Sequence, residues 1–149
     1  TQVRVPGPFA GWECGAMTGL GWQDRARCAG AGLELFFPDG GDTRRAKAFC
    51  AGCPVWGECL SYGLEEDHGV WGGLNRAERA RLRRLQHRLR VAPSDPANAT
   101  DIRRLLSVGL APERLSEVAG LAVETIIDQA KLGRRRRRHS ARPRQPVGV

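Results

Sequence analysis

This chain has little material for a conventional core. It holds one tyrosine and one methionine, aromatics make up 6% of its 149 residues, and no stretch resembles a long Val/Ile-rich strand. One large core is therefore not expected, and small thin-cored domains usually lean on a metal, disulfides or a partner. No apolar run is long enough to span a bilayer, and no signal-peptide pattern opens the sequence. The expected compartment is thus reducing and cytoplasmic, where clustered thiols are more often metal ligands or redox groups than structural disulfides. The cysteine count, five, is odd, which also argues against a complete disulfide framework. Acid is scarce in the second half. Residues 75–149 carry seven Asp/Glu against eighteen Lys/Arg, a net +11, while residues 1–74 carry nine against six, a net −3. Such a basic half is suited to a polyanion, with nucleic acid the default and an anionic membrane the alternative.

What the chain does have is a cluster of thiols. Cys50, Cys53 and Cys59 fall within the stretch CAGCPVWGEC, and Cys28 lies upstream. Their spacing admits three chemistries. Zinc prefers two short knuckles, and only Cys50-x-x-Cys53 is one. An iron–sulfur cluster tolerates uneven spacing with one remote cysteine. A redox dithiol of Cys50 and Cys53 is the third, but it lacks a thioredoxin-like βαβ context. Spacing tilts towards the cluster and leaves the other two open. Cys14 reads as a spare thiol, or else as an alternative ligand or disulfide partner.

Around these thiols the chain reads as all-α. Residues 1–20 form a Gly/Pro/Ala-rich arm, 21–90 the thiol-bearing domain, 91–99 a linker, 100–133 a helical unit and 134–149 a disordered basic tail. A short helix at 22–30 places Cys28 near its end. Asp42 or Thr43 caps a helix that delivers Cys50. Pro54 fits the first position of the next helix, which runs to about Glu66 and carries Cys59. Three glycines in five residues make Gly69–Gly73 a tight turn that exposes or clamps Trp71. Asn75 and Glu78 form a capping-box-like start to a helix with Leu82, Leu85 and Leu89 in one stripe, which by itself reads as an ordinary solvated amphipathic helix. Helices are expected at 101–108, 112–119 and 123–131. From Pro112 to Lys131 the pattern fits a helix-turn-helix, with Leu115 and Ala119 inward, Gly120 at the turn, Leu121 beneath it and Ile126 as anchor. A plain three-helix unit is the alternative.

Residues 22–86 resemble the WhiB-like family of actinobacterial and actinophage regulators. The resemblance rests on WQDRARC at 22–28, LFFP at 35–38, C-x2-CPV-x3-CL at 50–60, and GVWGGL followed by NRAERARLRR at 75–84. Each motif is weak alone, but their order and spacing together are specific. The resemblance implies a [4Fe–4S] cluster held by Cys28, Cys50, Cys53 and Cys59 within a small bundle of short helices. It also implies a monomer docked on region 4 of the primary sigma factor of RNA polymerase. Phe36, Phe37 and the turn Gly69, Val70, Trp71, Gly72 and Gly73 would pack between cluster and sigma, or serve only to seal the cluster from water.

The resemblance stops before the helical unit. In the basic tail, Ala141-Arg142-Pro143-Arg144 only partly matches the Arg-Gly-Arg-Pro core found in some family members. Expected contacts to promoter DNA are phosphate pairing by Arg134, Arg135, Arg136, Arg137 and Arg138, a minor-groove hook at Arg142 and Arg144, and base reading by Thr125 and Gln129. Glu124 and Asp128 on the same helix suit phosphate poorly, so the unit can instead meet protein. The resulting expectation is a redox-sensing transcriptional regulator with no catalytic residues. The rivals are a zinc-stapled DNA-binding protein without sigma contact and an apo-form dithiol disulfide reductase.

Overall fold

The computed structural model describes residues 21–38 and 41–140, with side chains to residue 132. The expected arm at 1–20, Cys14, Arg142 and Arg144 lie outside the described residues. The described chain is all-α. Six α-helices run Arg44–Cys50 (α1), Trp56–Gly63 (α2), Arg76–Val91 (α3), Pro96–Ser107 (α4), Pro112–Ala119 (α5) and Val123–Ser140 (α6), with 3-10 turns at Gln23–Arg25 and Leu33–Leu35. Among the described residues the only β pairing is an isolated bridge between Trp71 and Leu74. No helix among them is long and apolar enough to cross a membrane.

Helix α3 is the spine. Asn75 caps it with a reciprocal pair: its Oδ1 accepts from the Glu78 amide at 3.0 Å, and the Glu78 carboxylate accepts from the Asn75 amide at 2.9 Å. Leu82 and Leu85 are fully buried, so this helix is the wall of a core and not a solvated surface helix. The core runs in both directions from it. Leu60 and Leu74 from the thiol-bearing half pack in one cluster with Leu82, Leu85, Ile102, Leu105, Leu110, Leu115 and Ile126. Each such side chain contributes about 2 kcal/mol when fully buried. A smaller cluster of Phe36, Ala46, Cys50 and Val70 sits beside the thiols.

This shared core crosses the 91–99 segment read as a linker. Pro96 opens α4 with Asp95 as its cap, whose carboxylate accepts from the Ala97 amide at 2.8 Å. Only residues 92–95 separate α3 from α4. They are pinned by the buried Asn98, whose amide donates to the Ala92 and Pro93 carbonyls at 3.1 Å while its oxygen accepts from Arg88 Nε at 2.9 Å. The Pro/Asp/Ala-rich composition resembles a flexible tether, but these residues act here as cap and hinge stop. Helix α6 likewise exceeds its expected end. It continues through Arg134–Arg138 to Ser140, because arginine is a good helix former and no proline intervenes before Pro143. The residues read as the start of a disordered tail are therefore helical up to that point.

In the C-terminal half, Gly120 closes α5 in the left-handed conformation at φ 68°, where a glycine carries no Cβ penalty. Leu115 and Ile126 are buried, and Ala119 and Leu121 pack against the same cluster. Ser116 Oγ donates to the Leu121 carbonyl at 2.6 Å and fixes the turn between α5 and α6.

Candidate metal centre

Each thiol arrives from a different local structure. Cys28 follows the first 3-10 turn, in a run of turns ended by Gly30 at φ 82°. Cys50 is the last residue of α1, and Cys53 follows in a loop where its amide bonds back to the Cys50 carbonyl at 3.2 Å. Cys59 lies inside α2, whose helix starts at Trp56, two residues later than Pro54 promised. The delay lets the loop bury both Cys53 and Val55, at 8% and 1% exposure. Cys28 therefore ends no regular helix, and Cys53 starts none.

The four thiols come together. Cys28 couples electrostatically to Cys53, Cys50 to Cys28 and Cys53, and Cys59 to all three others, so every pair interacts. Burial pushes the Cys50 thiol up to about 11 and Cys59 up to about 12, and raises Cys28. The coupled negative charges add to the rise at all three. Backbone N–H groups oppose it: Gly72 donates to Cys59 Sγ at 3.2 Å, and Gly73 hydrogen-bonds the Cys50 sulfur. Among the described residues no three Cys, His, Asp or Glu side chains gather tightly enough to hold a single metal ion. Four mutually coupled sulfurs are a donor set that either a zinc ion or an iron–sulfur cluster can use.

The glycine turn supplies those N–H donors. Gly69, Gly72 and Gly73 all have φ between 56° and 84°. At Gly72 a Cβ would fall 2.5 Å from the Leu60 Cβ and 2.9 Å from the Trp56 carbonyl oxygen, so only glycine permits this approach to α2. Trp71 is clamped, not displayed. Its ring lies against Gly63, where an added Cβ would meet Cγ at 2.1 Å. Its Nε1 donates to the His68 carbonyl at 2.9 Å, and Tyr62 stands between it and Trp22. Of the residues read as facing sigma, Phe36, Val70, Trp71 and Gly72 are buried, whereas Phe37, Gly69 and Gly73 are half-buried. Phe37 packs over Gly69.

Three charged residues that sequence reading passed over hold this arrangement. Arg79 is 1% exposed and donates to the carbonyls of Glu66, His68, Gly69 and Leu74 at 2.6–3.1 Å, which gathers the whole loop beneath the glycine turn. Its spacing was a usable signal, because position 79 precedes Leu82 by one turn and lies on the apolar stripe. Lys47 of α1 donates to Glu78 at 2.7 Å and to the Val108 carbonyl at 3.4 Å. Arg114 of α5 donates to the Cys50 and Ala51 carbonyls, each at 3.0 Å, with its guanidinium 4.8 Å from the Trp56 ring centre. No local pattern marks Arg114.

Of the residues read as touching DNA, Thr125, Gln129 and Arg134–Arg138 fall on α6. Thr125 is exposed and Gln129 half-buried, with exposed Glu124 and Asp128 beside them, and Asp128 pairs with Lys131 at 3.8 Å. Arg134–Arg138 extend the same helix.

Comparison with known proteins converges on one family. The profile described as Transcription factor WhiB matches residues 22–82. Transcriptional regulator WhiB2 of Mycobacterium tuberculosis is 56% identical over 66 residues, covering 42% of this chain and 74% of that protein. Transcriptional regulator WhiB of Streptomyces coelicolor is 53% identical over 68 residues, covering 44% of this chain and 78% of its own length. The redox-responsive transcriptional regulator WhiB3 of Mycolicibacterium smegmatis is 39% identical over 90 residues, covering 53% and 85% respectively.

Proposed function

The chain belongs to the WhiB family of transcriptional regulators, and from that premise we propose that it holds a [4Fe–4S] cluster on Cys28, Cys50, Cys53 and Cys59. We further propose that it docks on region 4 of the primary sigma factor and touches promoter DNA with its basic C-terminal half. The observation that supports the cluster reading is the pairwise coupling of all four thiols, three of them set unevenly between residues 50 and 59 and the fourth remote at Cys28. When bound, such a cluster supplies folding energy and a redox-sensitive joint. The chain's own part is to bury the four sulfurs, to donate Gly72 and Gly73 N–H bonds to two of them, and to keep the aromatic wall closed. Burial of Cys50 and the rise of its thiol to about 11 weigh against a nucleophilic dithiol, which needs a thiolate near neutral pH. Anaerobic purification followed by iron, sulfide and zinc analysis tests the reading. A brown protein with broad absorbance near ~400 nm supports it, and a colourless protein with stoichiometric zinc overturns it.

For sigma docking, the exposures favour Phe36, Val70 and Trp71 as the sealed inner layer and Phe37, Gly69 and Gly73 as the face that meets the partner. Phe37→Ala should lose co-purification with sigma while keeping the cluster absorbance; retained binding would refute the role of that face. For DNA, the reading rests on Arg134–Arg138 carried on α6, with Arg142 and Arg144 beyond it and Thr125 and Gln129 one to three turns earlier on the same helix. Deleting residues 134–149 should flatten the salt dependence of DNA affinity by about 0.9 in log–log slope for each phosphate no longer neutralised. An unchanged slope would move the phosphate pairing elsewhere.

A further inference from the structure

Helix α5 lies outside the residues that match the family profile, which end at 82. Yet it reaches the thiol loop. Arg114 spreads its two terminal nitrogens across the carbonyls of Cys50 and Ala51, both at 3.0 Å, and rests its guanidinium 4.8 Å from the Trp56 ring centre. These are the last carbonyls of α1, which the helix itself leaves without partners. A cation there also meets the negative end of the helix. Trp56 begins α2, the helix that carries Cys59, so one side chain touches the end of the Cys50 helix and the start of the Cys59 helix together. The planar fork aims a separate nitrogen at each of two carbonyls, where a lysine would have to serve both from a single nitrogen. A second tie runs parallel: Lys47, one turn before Cys50, bonds Glu78 of α3 and the Val108 carbonyl that precedes α5. Behind Arg114, Leu115 is fully buried in the shared core, so the arm has a rigid base.

We propose that Arg114 is a positioning residue of the thiol site, supplied by the C-terminal unit, and that this unit is the outer wall of the site and not an independent DNA-binding appendage. The role is the same for any metal group the thiols hold, so it stands apart from the iron–sulfur reading. Its consequence is reciprocal. Opening the Cys50–Cys53 loop releases α5, and displacing α5 loosens the loop.

Residue-resolved amide hydrogen exchange on the anaerobically purified full chain tests this. The reporters are the Ala51 and Cys53 amides, which bond to the Lys47 and Cys50 carbonyls at 3.0 and 3.2 Å. Arg114→Ala should speed exchange at both by about tenfold, the factor that one charge-assisted hydrogen bond carries, with α3 amides unchanged. Arg114→Lys should recover part of that protection, and Glu113→Ala, on the exposed neighbour, should leave it whole. Uniform acceleration through α3 and α4 would mean that Arg114 only stabilises the fold and would overturn the positioning role; unchanged reporters would do the same. Should Arg114→Ala lose helical content, Arg114→Lys decides alone, because wild-type protection in it removes the need for a fork. Metal analysis of the same samples reads the identity of the bound group separately.

Discussion

Gly72 joins three constraints at one backbone position: a positive φ of 56°, contact with the α2 backbone and an N–H aimed at Cys59. Gly72→Ala should therefore cost about 2–5 kcal/mol, from left-handed strain and overpacking together, measured as a lower urea midpoint. Arg79 is the complementary case. Arg79→Leu removes the donor shared by four loop carbonyls, of which those of His68 and Leu74 keep a bond from Trp71, and should destabilise by about 3 kcal/mol, whereas substitution of the exposed Arg84 should change little. The thiols set a pH dependence. In the metal-free chain the folded thiols titrate above their ordinary value of 9.0, at about 11 for Cys50 and about 12 for Cys59. Their protonated forms favour the fold fully below about pH 9, and that contribution is lost as pH rises through 11 and 12. Thermal melts of metal-free protein should fall over that range, and metal binding at neutral pH should release protons.

At the scale of elements, the sequence and the structure part company in instructive places. The capping pair Asn75/Glu78, the leucine stripe of α3, the glycine turn and the Pro112-to-Gly120 span of α5 were all legible, because each follows from local backbone rules that tertiary context did not override. The start of α2 was not, since burying Cys53 and Val55 outweighed the preference of Pro54 for a first helical position. Nor was α4 read from its true start, although Asp95-Pro96 is a cap followed by a helix-starting proline; composition masked a local signal. The grouping of Cys28, Cys50, Cys53 and Cys59 could be anticipated from spacing and resemblance. The charged residues that hold it could not, because Lys47 and Arg114 act on groups 31 to 64 positions away. Helix α6 illustrates the same limit: a run of arginines reads as solvated chain until it is joined to a helix already anchored by Ile126. A proline placed at Arg135 should shorten that helix and lower the helical circular dichroism signal, with Leu115 and Ile126 still packed.

For the whole molecule, the core cluster joining Leu60 and Leu74 to Leu115 and Ile126 makes folding a joint event. Leu105→Ala, a cavity in the C-terminal half, should cost about 2–5 kcal/mol and lower the unfolding midpoint reported by tryptophan fluorescence, whose four sources all precede α3, as much as that reported by far-ultraviolet circular dichroism. Two separated transitions would instead indicate two independent cores. The three relatives compared above align to 42%, 44% and 53% of this chain, and the helices after α3 share a core with the thiol-bearing half.

That joint core also imposes an order on synthesis. The chain leaves the ribosome with all five cysteines and α3 complete before Ile126, the last member of the shared core, has emerged. At ~5–20 residues per second, several seconds pass before that last anchor emerges. During that interval the thiols belong to an unfinished wall, so any metal group they hold is expected to load only once α6 has emerged, with the nascent front half in need of protection until then.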